Sequence, residues 1–314
     1  MQVHNQLNQL PFFKNAVITI GSFDGVHTGH KQIINQLKEE AAKVNGETVI
    51  ITFYPHPRKV IGTTKIDFNL LTTLDEKISL LSKEGINHLV VVPFTRDFSD
   101  QPAVAYIKDF LVDKFHPHTI IIGYDHRFGK NREGNFELLE QYKKEFGYQV
   151  KEIPEHILNE VTVSSSKIRT AILNGDIETA SGLLGYNYFF EGLVIHGDKR
   201  GRTIGFPTAN LKMEDKEKLI PGNGVYAVSC SIGHHPTNNG QLLNGMMNIG
   251  VRPTVDGLKR MIEVNIFDFD EDIYGEMMKA ELKKRLRDEK KFNGLDELKQ
   301  QLQNDKLAAL HVLK

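Results

Sequence analysis

The sequence predicts an α/β region followed by an all-β region: an amino-terminal doubly wound parallel sheet and a carboxyl-terminal antiparallel β-barrel with a terminal helix. Three observations carry this reading. Between Ala16 and Ile153, five apolar, β-branched runs alternate with helical patterns, and the runs are apolar on both faces, as strands covered by helices must be. From Tyr188 onward, short β-forming runs follow one another across glycine and proline without intervening helices, the pattern of an antiparallel barrel. The pattern changes at Gly185, so the expected organisation is 1–185 and 186–314, with no proline- or serine-rich linker, internal repeat or low-complexity tract.

The totals agree. A chain of 314 residues has room for about two domains at roughly 150 residues each. With 40% hydrophobic and 25% charged residues it can bury sizeable cores. A formal net charge of -1 argues against a nucleic-acid partner, which calls for a strongly basic domain. No apolar run reaches the about 18 residues of a membrane span, and MQVHNQLNQL lacks a signal peptide's charged and apolar regions, so a cytoplasmic protein is expected. The single cysteine excludes an internal disulfide and suits a reducing compartment; Cys230, inside GVYAVSCSI, reads as a small core residue.

Taken in order, the run Ala16 to Ile20 stops at Gly21, and a loop with Phe23, Asp24, Gly25, His27 and His30 leads into the amphipathic segment Lys31 to Val44. At the carboxyl end of a parallel strand, a helix amino terminus gathers unpaired N–H groups and attracts phosphate. Two imidazoles three residues apart sit where such an anion would lie, each able to donate a hydrogen bond to a phosphoryl oxygen. A zinc pair would need further ligands, and the chain has no Cys-x-x-Cys or His-Glu-x-x-His. Strand Glu47 to Tyr54 ends at Pro55-His56-Pro57. Thr73 and Glu76 form a capping box for a helix to about Lys83, which Gly85 ends. Strand His88 to Phe94, helix Ala103 to Phe115, strand Thr119 to Tyr124, helix Phe136 to Phe146 and strand Tyr148 to Ile153 complete the sheet.

Ligands of such sheets bind beyond the strand carboxyl ends. Phe94 to Ser99 mixes aromatic and polar groups suited to a flat ligand. Gly123 to Lys130 fails the Walker-A spacing, because five residues separate Gly123 from Gly129 and Asn131 follows Lys130. Ser164, Ser165, Ser166 and Arg169 open a helix to about Leu173; the serines either cap it or grip a triphosphate together with the arginine. Asp176 to Gly185 is a further short helix.

In the second half, YFFEGLVIHG, GVYAVSCSI, QLLNGMMNIG, RMIEVNIFDF and MKAELKKRL read as strands. Leu295 to Leu313 reads as an amphipathic helix packing through Leu298, Leu302, Ala309 and Leu310. Gly197 to Leu211 is a glycine-rich basic stretch with Lys199, Arg200 and Arg202, either a surface turn or a phosphate wrap. Thr208 and Asn210 offer two neutral oxygens on one extended segment, a donor set suited to magnesium completed by phosphates and water. Glu263 should share a strand face with Met261 and Asn265, and spacing alone leaves it either a solvated residue or a site residue. Asp268, Asp270 and Asp272 fail the calcium-loop pattern at Ile273 and Lys279 and read as a solvated turn.

Gly-x-Phe-Asp-Gly-Val-His-x-Gly-His, Gly-Tyr-Asp-x-x-Phe-Gly-Lys and Ser-Ser-x-x-Ile-Arg, in this order, resemble the adenylyltransferase module of bacterial FAD synthetases, a Rossmann-like nucleotidyltransferase fold. The resemblance implies ATP phosphates at Gly21, Phe23, Asp24, His27, His30, Ser164, Ser165 and Arg169, and flavin or nucleotide positioned by Asp125 and Phe128. Gly-x-x-x-Gly-Arg-x-x-Gly-Phe-Pro-Thr-Ala-Asn, with Gly224-Val225-Tyr226, Asn248-Ile249-Gly250, Glu263 and Leu286-Arg287-Asp288-Glu289, resembles riboflavin kinase. That implies ATP and magnesium at Gly201, Arg202, Thr208 and Asn210, and Glu263 as the base for the riboflavin 5′-hydroxyl. Together the modules resemble the bifunctional riboflavin kinase/FMN adenylyltransferases. They imply a kinase domain at 186–314, an adenylyltransferase domain at 1–185, small-molecule substrates (ATP, riboflavin, FMN) and FAD as product. A single-activity relative and a non-catalytic flavin sensor are the rival readings. The chain departs from the usual pattern at Ser166 (usually Thr), His126 (Phe), Asn131 (Gly) and Asn265 (His).

Overall fold

The computed structural model describes residues 1–62, 68–153, 163–197, 200–233, 242–254 and 257–314. Contacts divide the chain into two compact units, Met1–Ser165 and Ser166–Lys314.

In the first unit, β1 (Gln2–His4), β2 (Val17–Ile20), β3 (Thr48–Tyr54), β4 (His88–Pro93), β5 (Thr119–Gly123) and β6 (Gln149–Ile153) form one parallel sheet of order β1-β4-β3-β2-β5-β6. The strand alternation sends Ile18, Ile20, Ile51 and Val92 to one core and Val17, Ile50, Val91 and Ile121 to the other, so both faces are covered. The sheet has six strands where the sequence predicted five. Gln2–His4 is too short and too polar to show a period, and it is held at the edge by pairing with β4 and by the His4 Nε2 to His88 Nδ1 contact of 3.1 Å. Helices stand where the caps predicted. Thr73 and Glu76 make the reciprocal capping box of helix Leu74–Ser82. The expected Ala103–Phe115 helix contains a π-helical stretch, Tyr106–Val112, which turns Tyr106, Ile107, Phe110 and Leu111 into the core.

In the second unit, β7 (Phe189–Ile195), β8 (Ala209–Lys212), β9 (Gly224–Ile232), β10 (Leu243–Thr254), β11 (Gly257–Ile266) and β12 (Met277–Arg287) close into an antiparallel barrel of order β10-β11-β8-β7-β12-β9. Ala209 and Asn210 of the Thr-Ala-Asn segment thus open a barrel strand, with Thr208 just before it. Helix Leu295–Val312 packs on the barrel through Leu302, Ala309 and Leu310 against Ala227, Met246 and Phe267. Arg287 clamps it, donating three bonds of 2.6–3.1 Å to Asp305. Helices Ser165–Leu173 (all but its first residue) and Ile177–Leu184 fall in this unit, where Gly222 N donates to Ile172 O and Lys284 pairs with Glu178.

Candidate active sites

The first site lies beyond β2. Gly21 permits a close approach of the Phe23 ring, since a Cβ there would stand 3.0 Å from it. The chain then turns through positive φ at Phe23 (48°), Gly25 (84°) and Val26 (38°) before His27 caps helix Thr28–Lys43. His27 and His30 stack at 3.7 Å between ring centroids, and Phe23 lies 4.9 Å from His30. His27 Nδ1 accepts from the His30 backbone N at 3.4 Å, which leaves the proton of a neutral His27 on Nε2. Burial, reinforced by His27 and Lys77, holds the His30 imidazole well below its ordinary 6.5, and its buried Nδ1 has no hydrogen-bond partner among the described residues. An anion docked at the helix start would meet both rings and the orphan N–H groups together.

Asp24 has partners within the protein. Its carboxylate is buried and accepts from Leu71 N, Thr72 N and Thr72 Oγ1 at 3.1–3.4 Å, so it anchors the loop to residues 71–72. Ser165 Oγ donates to the Asp24 carbonyl at 3.2 Å, bringing the serine segment to the same loop. Arg169 lies farther along the Ser165–Leu173 helix, in the second unit. Beneath the loop is a residue the motif reading missed: Lys77, buried, donating to Ser22 O at 2.7 Å and Thr52 Oγ1 at 3.3 Å. Its signal was readable, because Lys77 sits on the apolar stripe between Leu74 and Leu81.

Beside this loop, Ile20 at the end of β2 joins Phe53, Phe94, Phe98, Tyr106 and Phe128 around a cavity of about 360 Å³. Tyr106 stacks on Phe128 at 5.0 Å and 26°. The aromatic Phe94–Ser99 loop therefore does line a pocket, through Phe94, Arg96, Phe98 and Ser99. Phe128 faces it, whereas Asp125 is exposed and is not among its lining residues. His126 lines it too. Its Nε2 is buried without a partner among the described residues, and burial lowers the imidazole to about 4.

The second site is in the barrel. Glu263 on β11 stands directly opposite Asn210 on β8, so the carboxylate and the amide come from facing positions of paired strands. Asn210 Oδ1 is buried and has no partner among the described residues, an acceptor that lacks only a donor or a cation. Gly197 and Gly201 are required by crowding: a Cβ at the first would run into the Asn210 amide, and at the second into the Phe206 carbonyl. Two cavities meet at Thr208. One, of about 580 Å³, is lined by Gly201, Thr208, Asn210, Glu263, Met247 and Phe292. The other, of about 550 Å³, is lined by Arg202, Thr208, His196, Asp270, Asp272 and Tyr274, with the His196 and Tyr274 rings 3.8 Å apart. Arg252 Nη2 reaches Glu263 Oε1 at 3.3 Å. Asn265, buried, shares the Glu263 cavity and donates to the Pro207 carbonyl at 2.6 Å, bracing the Thr208–Asn210 segment; Met261 does not line that cavity. Lys199 and the Arg200 side chain lie outside the described residues.

Two family models match the chain, FAD synthetase over residues 10–167 and riboflavin kinase over residues 184–313. Relatives described as bifunctional riboflavin kinase/FMN adenylyltransferase include one from Escherichia coli K12, 38% identical over 308 residues and covering 98% of this chain and 95% of the relative. Another, from Bacillus subtilis 168, is 39% identical over 300 residues, covering 94% and 92%. Among solved structures, a Streptococcus pneumoniae protein described as a macrolide-efflux protein matches with a TM-score of 0.86 and 31% identity over 98% of each chain. That description belongs to that protein; among the described residues of this chain, no helix is long and apolar enough to cross a membrane.

Proposed function

The chain belongs to the bifunctional riboflavin kinase/FMN adenylyltransferase family, which converts riboflavin to FMN and FMN to FAD, and we propose how its residues divide that work. Residues 186–314 carry the kinase reaction and residues 1–185 the adenylyl transfer. The observation that carries the kinase assignment is the register of Glu263 against Asn210.

In the barrel, the larger and more apolar cavity takes riboflavin, with its 5′-hydroxyl at Glu263. The cavity across Thr208 takes ATP, with the adenine near His196 and Tyr274 and the phosphates near Gly201 and Arg202. Glu263 accepts the hydroxyl proton as the oxygen attacks the γ-phosphorus, and ADP leaves. The orphaned Asn210 Oδ1 and the Thr208 hydroxyl fit magnesium, a hard cation that favours neutral oxygens alongside phosphate. Magnesium, when bound, supplies neutralisation of the phosphate charge. Arg252 keeps the Glu263 carboxylate paired before substrate arrives. Asn265 holds the Pro207 carbonyl and so fixes the approach of Thr208, the work that falls to this asparagine in place of histidine.

In the sheet, the aromatic cavity takes the isoalloxazine ring between Phe94, Phe98 and Phe128. The FMN phosphate attacks the α-phosphorus of ATP and pyrophosphate departs. His27, through Nε2–H, and His30 donate to phosphate oxygens as charge builds there; Ser164 and Ser165 extend the same cradle. Asp24 positions the loop without touching substrate. The roles of Asp125 and Arg169 rest on the resemblance alone. Small-molecule partners, and a cytoplasmic setting suited to the lone buried cysteine, complete the reading.

Incubating the full chain with riboflavin, ATP and magnesium and separating the flavins tests the whole. FMN followed by FAD is expected. One product alone would indicate a single active module, and flavin binding without ADP or pyrophosphate would indicate a sensor.

A further inference from the structure

Against the Gly21–Val26 loop lies a cation that neither the histidine motif nor the family resemblance points to. Lys77 is 5% exposed, a rare state for lysine. Its Nζ donates to Ser22 O at 2.7 Å and to Thr52 Oγ1 at 3.3 Å. Ser22 immediately precedes the stretch in which Phe23 and Val26 adopt φ of 48° and 38°. Left-handed backbone at a β-branched residue is strained and persists only where neighbours enforce it. The enforcing contacts are Lys77 to Ser22, Asp24 to Leu71 and Thr72, and Ser165 to the Asp24 carbonyl. The ionisable groups that Lys77 faces electrostatically are Asp24, which favours its charge, and His30, whose protonation it opposes. With His30 held neutral and His27 accepting at Nδ1, the imidazoles are poor carriers of positive charge.

We propose that Lys77 is the positioning residue of this pocket: its ammonium fixes the Gly21–Val26 loop through the Ser22 carbonyl and provides the standing positive charge for the triphosphate. The imidazoles are thereby freed to act as neutral, directional donors. Burial lowers Lys77 to about 8, so the ammonium predominates at neutral pH and gains from an anion nearby. The inference rests on the pocket's reading as the FMN-adenylylating site.

The test uses the full-length protein and both reactions. Wild-type protein is first given FMN, ATP and magnesium; no FAD would refute the reading of the site itself. With FAD formed, Lys77→Met is expected to lower kcat/KM for ATP at least tenfold in adenylylation, while FMN formation in the same chain stays within twofold. Lys77→Arg should recover part of the loss. An unchanged kcat/KM in Lys77→Met, or equal loss in the Met and Arg variants, overturns the proposal. Should Lys77→Met not fold, the wild-type protein decides: the titration midpoint of the ¹³C-labelled Lys77 ε-carbon must rise when ATP and magnesium are added without flavin. An unmoved midpoint overturns the proposal as well.

Discussion

Replacing Glu263 by glutamine removes one proton acceptor and one charge while keeping the shape of the side chain. The carboxylate stands across the strand pair from Asn210 and shares a cavity with Thr208, so its loss should be felt in the transfer step. Loss of a general base slows turnover by about 10²–10⁴, or roughly 2.7–5.4 kcal/mol of barrier at about 1.36 kcal/mol per decade. Stability should barely change, because the ion pair with Arg252 has side chains 20% and 44% exposed and such pairs contribute about 0–1 kcal/mol. The assay separates riboflavin, FMN and FAD chromatographically. With riboflavin and ATP, kcat for FMN formation should drop by that factor with KM for ATP within about threefold. With FMN supplied, FAD formation should match wild type. Kinase turnover equal to wild type would refute the base assignment, and equal losses in both reactions would refute the separation of the two pockets.

Four further outcomes follow from the same geometry. His27→Ala combined with His30→Ala should abolish FAD formation from FMN and spare FMN formation from riboflavin, measured in the same chromatographic assay. His126 is lowered to about 4, chiefly by burial and then by Arg132 and Arg127, against a partial opposing effect of Asp125. The unfolded chain therefore takes up this proton first, and native stability falls as pH drops through 6.5, levelling near 4; His126→Phe should flatten the melting temperature across that window. Asp305→Ala leaves Arg287 without its carboxylate in a largely buried setting and should cost about 3–5 kcal/mol in denaturant unfolding of the barrel unit, with Arg287→Ala/Asp305→Ala losing less than the sum of the singles. Asn210→Ala should raise the magnesium concentration for half-maximal kinase activity about tenfold or more, read by titrating the metal at fixed ATP, and leave the magnesium response of FAD formation unchanged.

Much of this protein is written locally. The Thr73/Glu76 box and the Gly185 stop of helix Ile177–Leu184 depend on groups within a few residues of one another, so pattern alone placed them. The alternation of apolar runs likewise determined a two-faced parallel sheet and then a barrel, because solvent exposure imposes periods of two and 3.6 on any packed strand or helix. The long motifs were legible for a similar reason: the Gly21–His30 loop and the Thr-x-Asn segment are contiguous in sequence.

What only the tertiary structure decided are the partnerships between residues distant in sequence. Gln2–His4 became a sixth strand because β4 offered it an edge. Asp24 found the N–H groups of residues 71–72, nearly fifty positions away. Asn265 found the Pro207 carbonyl, and Lys77 found Ser22 and Thr52, across separations of tens of residues. No periodicity reports such contacts, since a side chain's partner is fixed by how whole elements pack and not by its neighbours along the chain; in this protein, contiguous motifs are legible in the sequence, and packing decides which distant side chains brace them.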